Sequence, residues 1–160
     1  ELACEALKQN GLDEDPVLQR VRGGETIAQA RGLSREDLEI IYGMGFTLIT
    51  SGELDKAEDV FITLCFMDQL VAKNHYCLGV VRQMKQQWQM ACDDFIRFLA
   101  LDATNPEGYL RIGECKVALG EKDEAKEYFR LALLEAEQGN GPDDAVEQAQ
   151  AALALFEKET

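Results

Sequence analysis

The chain has 160 residues, an apolar share of 46% and a formal net charge of -14 at pH 7, which is enough for one extended domain with a real core. That acidic balance excludes nucleic acid as a partner and disfavours direct binding to anionic membranes, since both contacts need concentrated Lys and Arg. What it supports is solubility in a protein that carries an apolar surface.

No apolar run approaches the roughly 18 residues that a membrane span needs. The start, Glu1-Leu2-Ala3-Cys4-Glu5, lacks the basic and then apolar layout of a secretory signal. The cytosol is the expected compartment, and the cysteines agree with it. Cys4, Cys65, Cys77, Cys92 and Cys115 are odd in number, widely spaced and without a Cys-x-x-Cys pair. They read as reduced, small apolar residues and not as a redox or metal site.

Caps and periods predict helices from end to end. Asp15-Pro16 has the form of an N-cap with Pro at the first helical position, opening a short helix to Arg22 with Val17, Leu18 and Val21 on its apolar side. Gly23-Gly24 ends it, Thr26 to Ala30 gives one or two turns, and Gly32 breaks the chain again. Ser34, with Asp37 three residues on, forms a capping box and starts a helix that stops at Gly52. Its partner spans about Leu54 to Met67. A second pair is predicted at about Leu70 to Lys85 and Trp88 to Leu101. Asn105-Pro106 opens a third, which runs to Leu119, turns at Gly120 and returns from about Lys122 to Glu137. After the break at Gly139-Asn140-Gly141-Pro142, Asp143 to Lys158 reads as one more helix with Val146, Ala149, Leu153 and Phe156 in line.

The three pairs repeat with a period of 34. Gly45, Gly79 and Gly113 share one phase, Ala57, Ala91 and Ala125 fall twelve residues later, and Phe61, Phe95 and Phe129 four after that. This is the signature of tetratricopeptide repeats, helical hairpins that stack on copies of themselves. The Gly and Ala mark close helix crossings, and the Phe is expected to fill the space toward the next hairpin. The fold class that follows is an all-α array of three hairpins with N-terminal helices and a C-terminal capping helix. Its divisions are a 1–33 N-terminal segment, repeats over 34–137 (about 38–71, 72–105 and 106–139) and a cap in 142–160.

Nothing in the sequence proposes catalysis, a cofactor, a metal or a small-molecule substrate. The single His75 shares its repeat phase with Ile41 and Tyr109, so it occupies a packing slot without an acid or nucleophile in phase. Gly23-Gly24-Glu25-Thr26 is too short for a phosphate loop and lacks its Lys. The many Asp and Glu residues show neither paired placement nor calcium-loop order.

In such an array the first helix of each hairpin lines a groove. Its positions are Glu39, Tyr42, Phe46 and Ile49 in the first repeat, Lys73, Tyr76, Val80 and Gln83 in the second, and Glu107, Leu110, Glu114 and Val117 in the third. Tyr42, Phe46 and Ile49 share one helical face, while Ile41, Met44, Gly45 and Leu48 are expected inside the hairpin. An exposed aromatic track of this kind suits an extended or partly folded peptide with apolar anchors. Arrays that grip a partner's terminal carboxylate place Lys, Asn and Arg at these positions, where this chain has Tyr42, Phe46 and Tyr76.

The lead-in Gly-Gly-Glu-Thr-Ile at 23–27, Leu38-Glu39-x-x-Tyr42 with Phe46, Ser51 to Ala57, Val60-Phe61 through Leu64-Cys65, Asp68 ahead of Leu78-Gly79 and Arg82-Gln83, and Gln87 to Asp93 resemble the tetratricopeptide chaperones of bacterial type III secretion. That class holds translocator proteins before export. The resemblance covers about Gly23 to Glu137. It implies a non-enzymatic virulence chaperone in the bacterial cytoplasm, whose partners are the hydrophobic major and minor translocators. It also implies a groove that takes segments resembling Pro-x-Leu-x-x-Pro, with Tyr42, Phe46, Met67, Tyr76 and Val80 at the matching positions; Ile49 and Leu110 join the track from the repeat phase alone. A homodimer through the N-terminal helices, Leu12 to Ala30, is implied as well. Two other readings stay open: a general tetratricopeptide adaptor, and a regulatory co-factor of a transcription activator.

Overall fold

Side-chain caps set several of the helix starts. Asp15 Oδ1 accepts from the backbone N–H of Val17 at 2.8 Å and of Leu18 at 3.1 Å, and Ser34 and Asp37 exchange bonds in both directions. A further box, Thr26 with Gln29, starts the shortest helix. The computed structural model describes residues 15–158, so Cys4, Leu12 and the rest of 1–14 in the expected N-terminal segment lie outside the described residues. Among the described residues there are nine α-helices and no strand. They are α1 (Pro16–Arg22), α2 (Ile27–Ala30), α3 (Arg35–Thr50), α4 (Leu54–Met67), α5 (Ala72–Met84), α6 (Trp88–Leu101), α7 (Pro106–Ala118), α8 (Lys122–Glu137) and α9 (Ala145–Lys158).

The pairs α3–α4, α5–α6 and α7–α8 form hairpins that stack in chain order. Each closes through the same turn. The N–H of Glu53, Gln87 and Glu121 reaches back to the carbonyl of Leu48, Arg82 and Lys116, all at 2.9 Å, which needs a left-handed residue one position earlier. Gly52 and Gly120 supply it at φ +80 and +79. In the middle hairpin Gln86 holds the slot at φ 59, a conformation that costs a residue with a Cβ roughly 1–2 kcal/mol.

The repeated glycines and phenylalanines meet inside each hairpin. A Cβ added at Gly45, Gly79 or Gly113 would lie 2.8 Å from the ring of Phe61, 2.7 Å from Phe95 or 2.4 Å from Phe129. The phenylalanine therefore does not simply fill the gap between hairpins. It lies under its own hairpin's glycine and from there reaches the next hairpin, as Phe61 does in packing with Ala57 and Leu64 against Cys77, Leu78 and Val81. Ala91, Cys92 and Phe95 repeat this against Ile112 and Cys115. Burying one such ring fully is worth about 1.5–3 kcal/mol.

One expected core residue is outside. Met44 is 58% exposed, because its repeat equivalents Leu78 and Ile112 are buried against a preceding hairpin and α3 has none before it among the described residues. The other end is closed, since Ala149 and Phe156 of α9 pack on Ala125, Phe129 and Ala132 of α8 and on Leu110 of α7. A buried ion cluster fixes the joint between the first two hairpins. Asp94, with only 2% of its side chain exposed, accepts from Arg82 at 2.7 Å and from Arg97 at 3.0 Å, and Arg82 also donates to Glu58 of α4 at 2.9 Å. His75 is buried, with Nε2 3.0 Å from the carbonyl of Gln69.

Candidate functional site

Side chains from the first helix of each hairpin join across the stack on one side. Lys73 of α5 lies 2.6 Å from Glu39 of α3 and 4.2 Å above the ring of Tyr42, a cation held over an aromatic face. The Tyr42 hydroxyl meets Cys77 Sγ at 3.2 Å and its ring stands edge-on to Phe61 at 5.7 Å. Between α5 and α7, Tyr76 donates to Glu107 at 2.8 Å and Gln83 to Glu114 at 2.7 Å. Arg111 bonds both carboxylates, at 2.9 and 3.2 Å. The Tyr76 ring is backed by Phe95 and Phe98, at 5.7 and 5.2 Å.

These contacts leave two cavities side by side. One, of 530 Å³, is lined by Leu38, Glu39, Tyr42, Leu64, Val71, Ala72 and Lys73 together with Ala28 and Gln29 of α2. The other, of 570 Å³, is lined by Ala72, Lys73, Tyr76, Phe98, Asn105, Glu107 and Pro142 among others. Ala72 and Lys73 border both, so the two cavities form one track with Lys73 between them. Burial, with the hydrogen bond to Cys77, raises the Tyr42 phenol above its ordinary range. Burial and the bond to Glu107 push Tyr76 up to about 12. Both rings therefore stay neutral near pH 7, and with their partly covered hydroxyls engaged they present apolar faces.

The third hairpin, residues 106–138, matches the family model described as tetratricopeptide repeat. Low calcium response locus protein H of Yersinia pestis is 30% identical over 112 residues, which are 70% of this chain and 67% of that protein. The chain belongs to the tetratricopeptide chaperones of type III secretion translocators. A solved relative is PcrH, known from Pseudomonas aeruginosa, in complex with the chaperone-binding region of PopD. It is 28% identical with a TM-score of 0.74, covering 80% of this chain and 96% of that one. Another is SycD of Yersinia enterocolitica with a peptide of the translocator YopD, at 25% identity and a TM-score of 0.72 over 79% of this chain and 96% of that one. SycD has also been solved as an alternative dimer.

Within this chaperone the seven residues expected along the track fall into three settings. Tyr42 and Tyr76 line the two cavities, and Phe46 stands 55% exposed on α3. Ile49 and Val80 are half-buried against the cores beneath the track. Met67 and Leu110 lie elsewhere. Met67 lines a separate 280 Å³ cavity with Val21, Ile27 and Phe66, because the end of α4 faces the N-terminal helices. Leu110 is buried with Phe129 and Phe156 under α9.

Leu38, Phe98 and Pro142 line the track without having been expected there. They come from a helix start, a second helix and a loop, none of which the first-helix phase selects. The polar lacing did leave a trace in the sequence, since Glu39, Lys73 and Glu107 share one repeat phase and alternate in sign. Among the described residues no helix is long and apolar enough to cross a membrane and no group of three metal-ligating side chains converges.

Proposed function

We propose that this chaperone binds an extended apolar segment of its translocators along the track from Tyr42 to Tyr76, keeping the clients soluble and apart before export. The observation that carries this reading is the pair of cavities sharing Lys73 and Ala72, each with one aromatic wall. A segment of the kind Pro-x-Leu-x-x-Pro is preorganised as an extended strand and offers apolar side chains at separated points. One anchor enters against Tyr42 and the next against Tyr76 and Phe98. Phe46 covers the chain from the side, and Ile49 and Val80 hold the floor. Met67, on its separate cavity, and Leu110, under α9, are left out of this reading.

The work is done by binding alone, in the bacterial cytoplasm, without catalysis. The chaperone also pairs with a second copy, as SycD does, and the half-covered Val17, Leu18 and Val21 of α1 are one apolar surface available for that. Calorimetric titration with a translocator peptide carrying the Pro-x-Leu-x-x-Pro pattern tests the reading. Wild-type affinity that holds between low and high salt, and falls at least tenfold in Phe46→Glu, is the expected result, because an apolar track is little screened. Affinity that collapses with salt and ignores Phe46 would move the assignment to a charge-reading adaptor.

A further inference from the structure

The charges along the track cancel at its centre and not at its ends. Lys73, which both cavities share, is taken up by Glu39 at 2.6 Å, and Glu107 is taken up by Arg111 and Tyr76. The charged groups left in the two linings are Arg35 and Asp68 in the first cavity and Asp102 in the second. Asp68 accepts from the backbone N–H of Leu70 at 3.1 Å and also borders the separate cavity of Met67. Asp102 is half-buried and accepts from the side-chain amide of Asn105 at 2.8 Å, which leaves its negative charge uncompensated. Arg35 is exposed, and among the described residues it has neither an ion pair nor a hydrogen-bonded side-chain partner. An uncompensated cation thus lines one cavity and an uncompensated carboxylate the other.

We propose that these two charges select the flanks of the client segment, an acidic residue beside the anchor that enters against Tyr42 and a basic residue beside the anchor that enters against Tyr76. This rests on the track of the proposed function and adds to it the character of two client residues. Both cavities offer one aromatic wall, and a Pro-x-Leu-x-x-Pro segment ends in Pro on both sides, so the end anchors alone do not separate one apolar segment of this spacing from another. A carboxylate at the Arg35 guanidinium and an ammonium at Asp102 make charge-assisted bonds, while the wrong sign at either place sets like charges together. The net charge of -14 draws basic peptides to the whole surface, and Arg35 makes the first flank the exception. A chain that selected by net charge alone would prefer two basic flanks. An exposed ion pair contributes about 1.4–5-fold in affinity, and exchanging that attraction for an equal repulsion squares the factor. One wrong flank should therefore weaken binding about 2–25-fold at low salt, and far less at about 1 M, where the screening length is about 3 Å. The apolar anchors supply the affinity and the flanks supply the choice.

Calorimetric titration of the full chain with synthetic Pro-x-Leu-x-x-Pro peptides tests this. The residues outside the two prolines are made acidic and basic in either order, both acidic, both basic or both neutral. In the wild type one of the mixed peptides should bind tightest, ahead of the doubly basic one by the factor above. In Arg35→Glu the doubly basic peptide should become the tightest, and in Asp102→Lys the doubly acidic one. Peptides are compared within each variant, so a general loss of fold or affinity drops out of the ratio. A doubly basic peptide that binds the wild type tightest, or a ranking that neither substitution changes, overturns the assignment of Arg35 and Asp102. If the neutral peptide is weakened at least tenfold by Phe46→Glu while all the charged peptides bind alike, the track stands and only the charge selection falls. Binding that ignores both Phe46 and the flanks removes the track and this selection with it.

Discussion

The same substitution, Gly→Ala, should have opposite signs at two places in this array. At Gly113 the added methyl carbon would sit 2.4, 2.6 and 3.0 Å from three atoms of the Phe129 ring, and that ring is itself buried between α7, α8 and α9. Overpacking of this kind costs about 1–3 kcal/mol, against a gain of about 1 kcal/mol for replacing glycine inside a helix. The net is a loss of up to about 2 kcal/mol. At Gly43 nothing lies within 4 Å of the added carbon, so only the gain remains. For a chain of this size 1 kcal/mol moves Tm by roughly 2–4 °C. Gly113→Ala should melt below the wild type by up to about 8 °C and Gly43→Ala above it by about 2–4 °C, measured by circular dichroism in dilute solution where association is negligible. If both variants melt higher by the same amount, the glycine and phenylalanine register is not a packing constraint and the account of the repeat fails.

Gln86→Gly should stabilise the fold by about 1 kcal/mol, because it relieves the one left-handed turn position that carries a side chain among the three hairpins; urea unfolding at constant slope reads it. Asp94→Ala removes the buried acid that shares Arg82 with Glu58, while Arg97 is 57% exposed and is left to solvent; burial raises the Asp94 carboxyl despite both cations, so a loss of about 1.5–3 kcal/mol is expected, with Tm lower by roughly 3–12 °C. The Tyr76 phenol is raised from 10.0 to about 12 in the folded chain, so the native state holds its proton longer than the unfolded state does. Stability should therefore fall as pH rises from about 10 to 12, a slope that alkaline denaturation should show and Tyr76→Phe should flatten. Tyr42→Glu should cost stability as well as binding, since its ring packs on Phe61; Phe46→Glu, at an exposed position, should cost binding alone.

The fold was legible in the chain because its repeat is local. Asp15, Ser34 and Asn105 cap helices through bonds to residues two or three positions away, and the period of 34 names the glycine, alanine and phenylalanine that recur in every hairpin. Phase alone also selected Tyr42 and Tyr76, which line the two cavities. Phase treats all repeats as equivalent, however, and their neighbours are not. Met44 has the sequence of a core residue and is exposed because no hairpin among the described residues precedes it. Leu110 has the phase of a groove residue and is buried because α9 folds over it.

What the sequence by itself determined is the hairpin, its turns, its repeat and the first-helix track, all consequences of spacing along one helix or between two adjacent ones. What only the tertiary structure decided is which surfaces remain open. The cavities on either side of Lys73 draw their walls from α2, α3, α4, α5, α6, α7 and the loop at Pro142, and no spacing rule relates those segments. Exposure is a property of the finished stack, since a side chain is covered or not according to what the next element, or its absence, leaves above it.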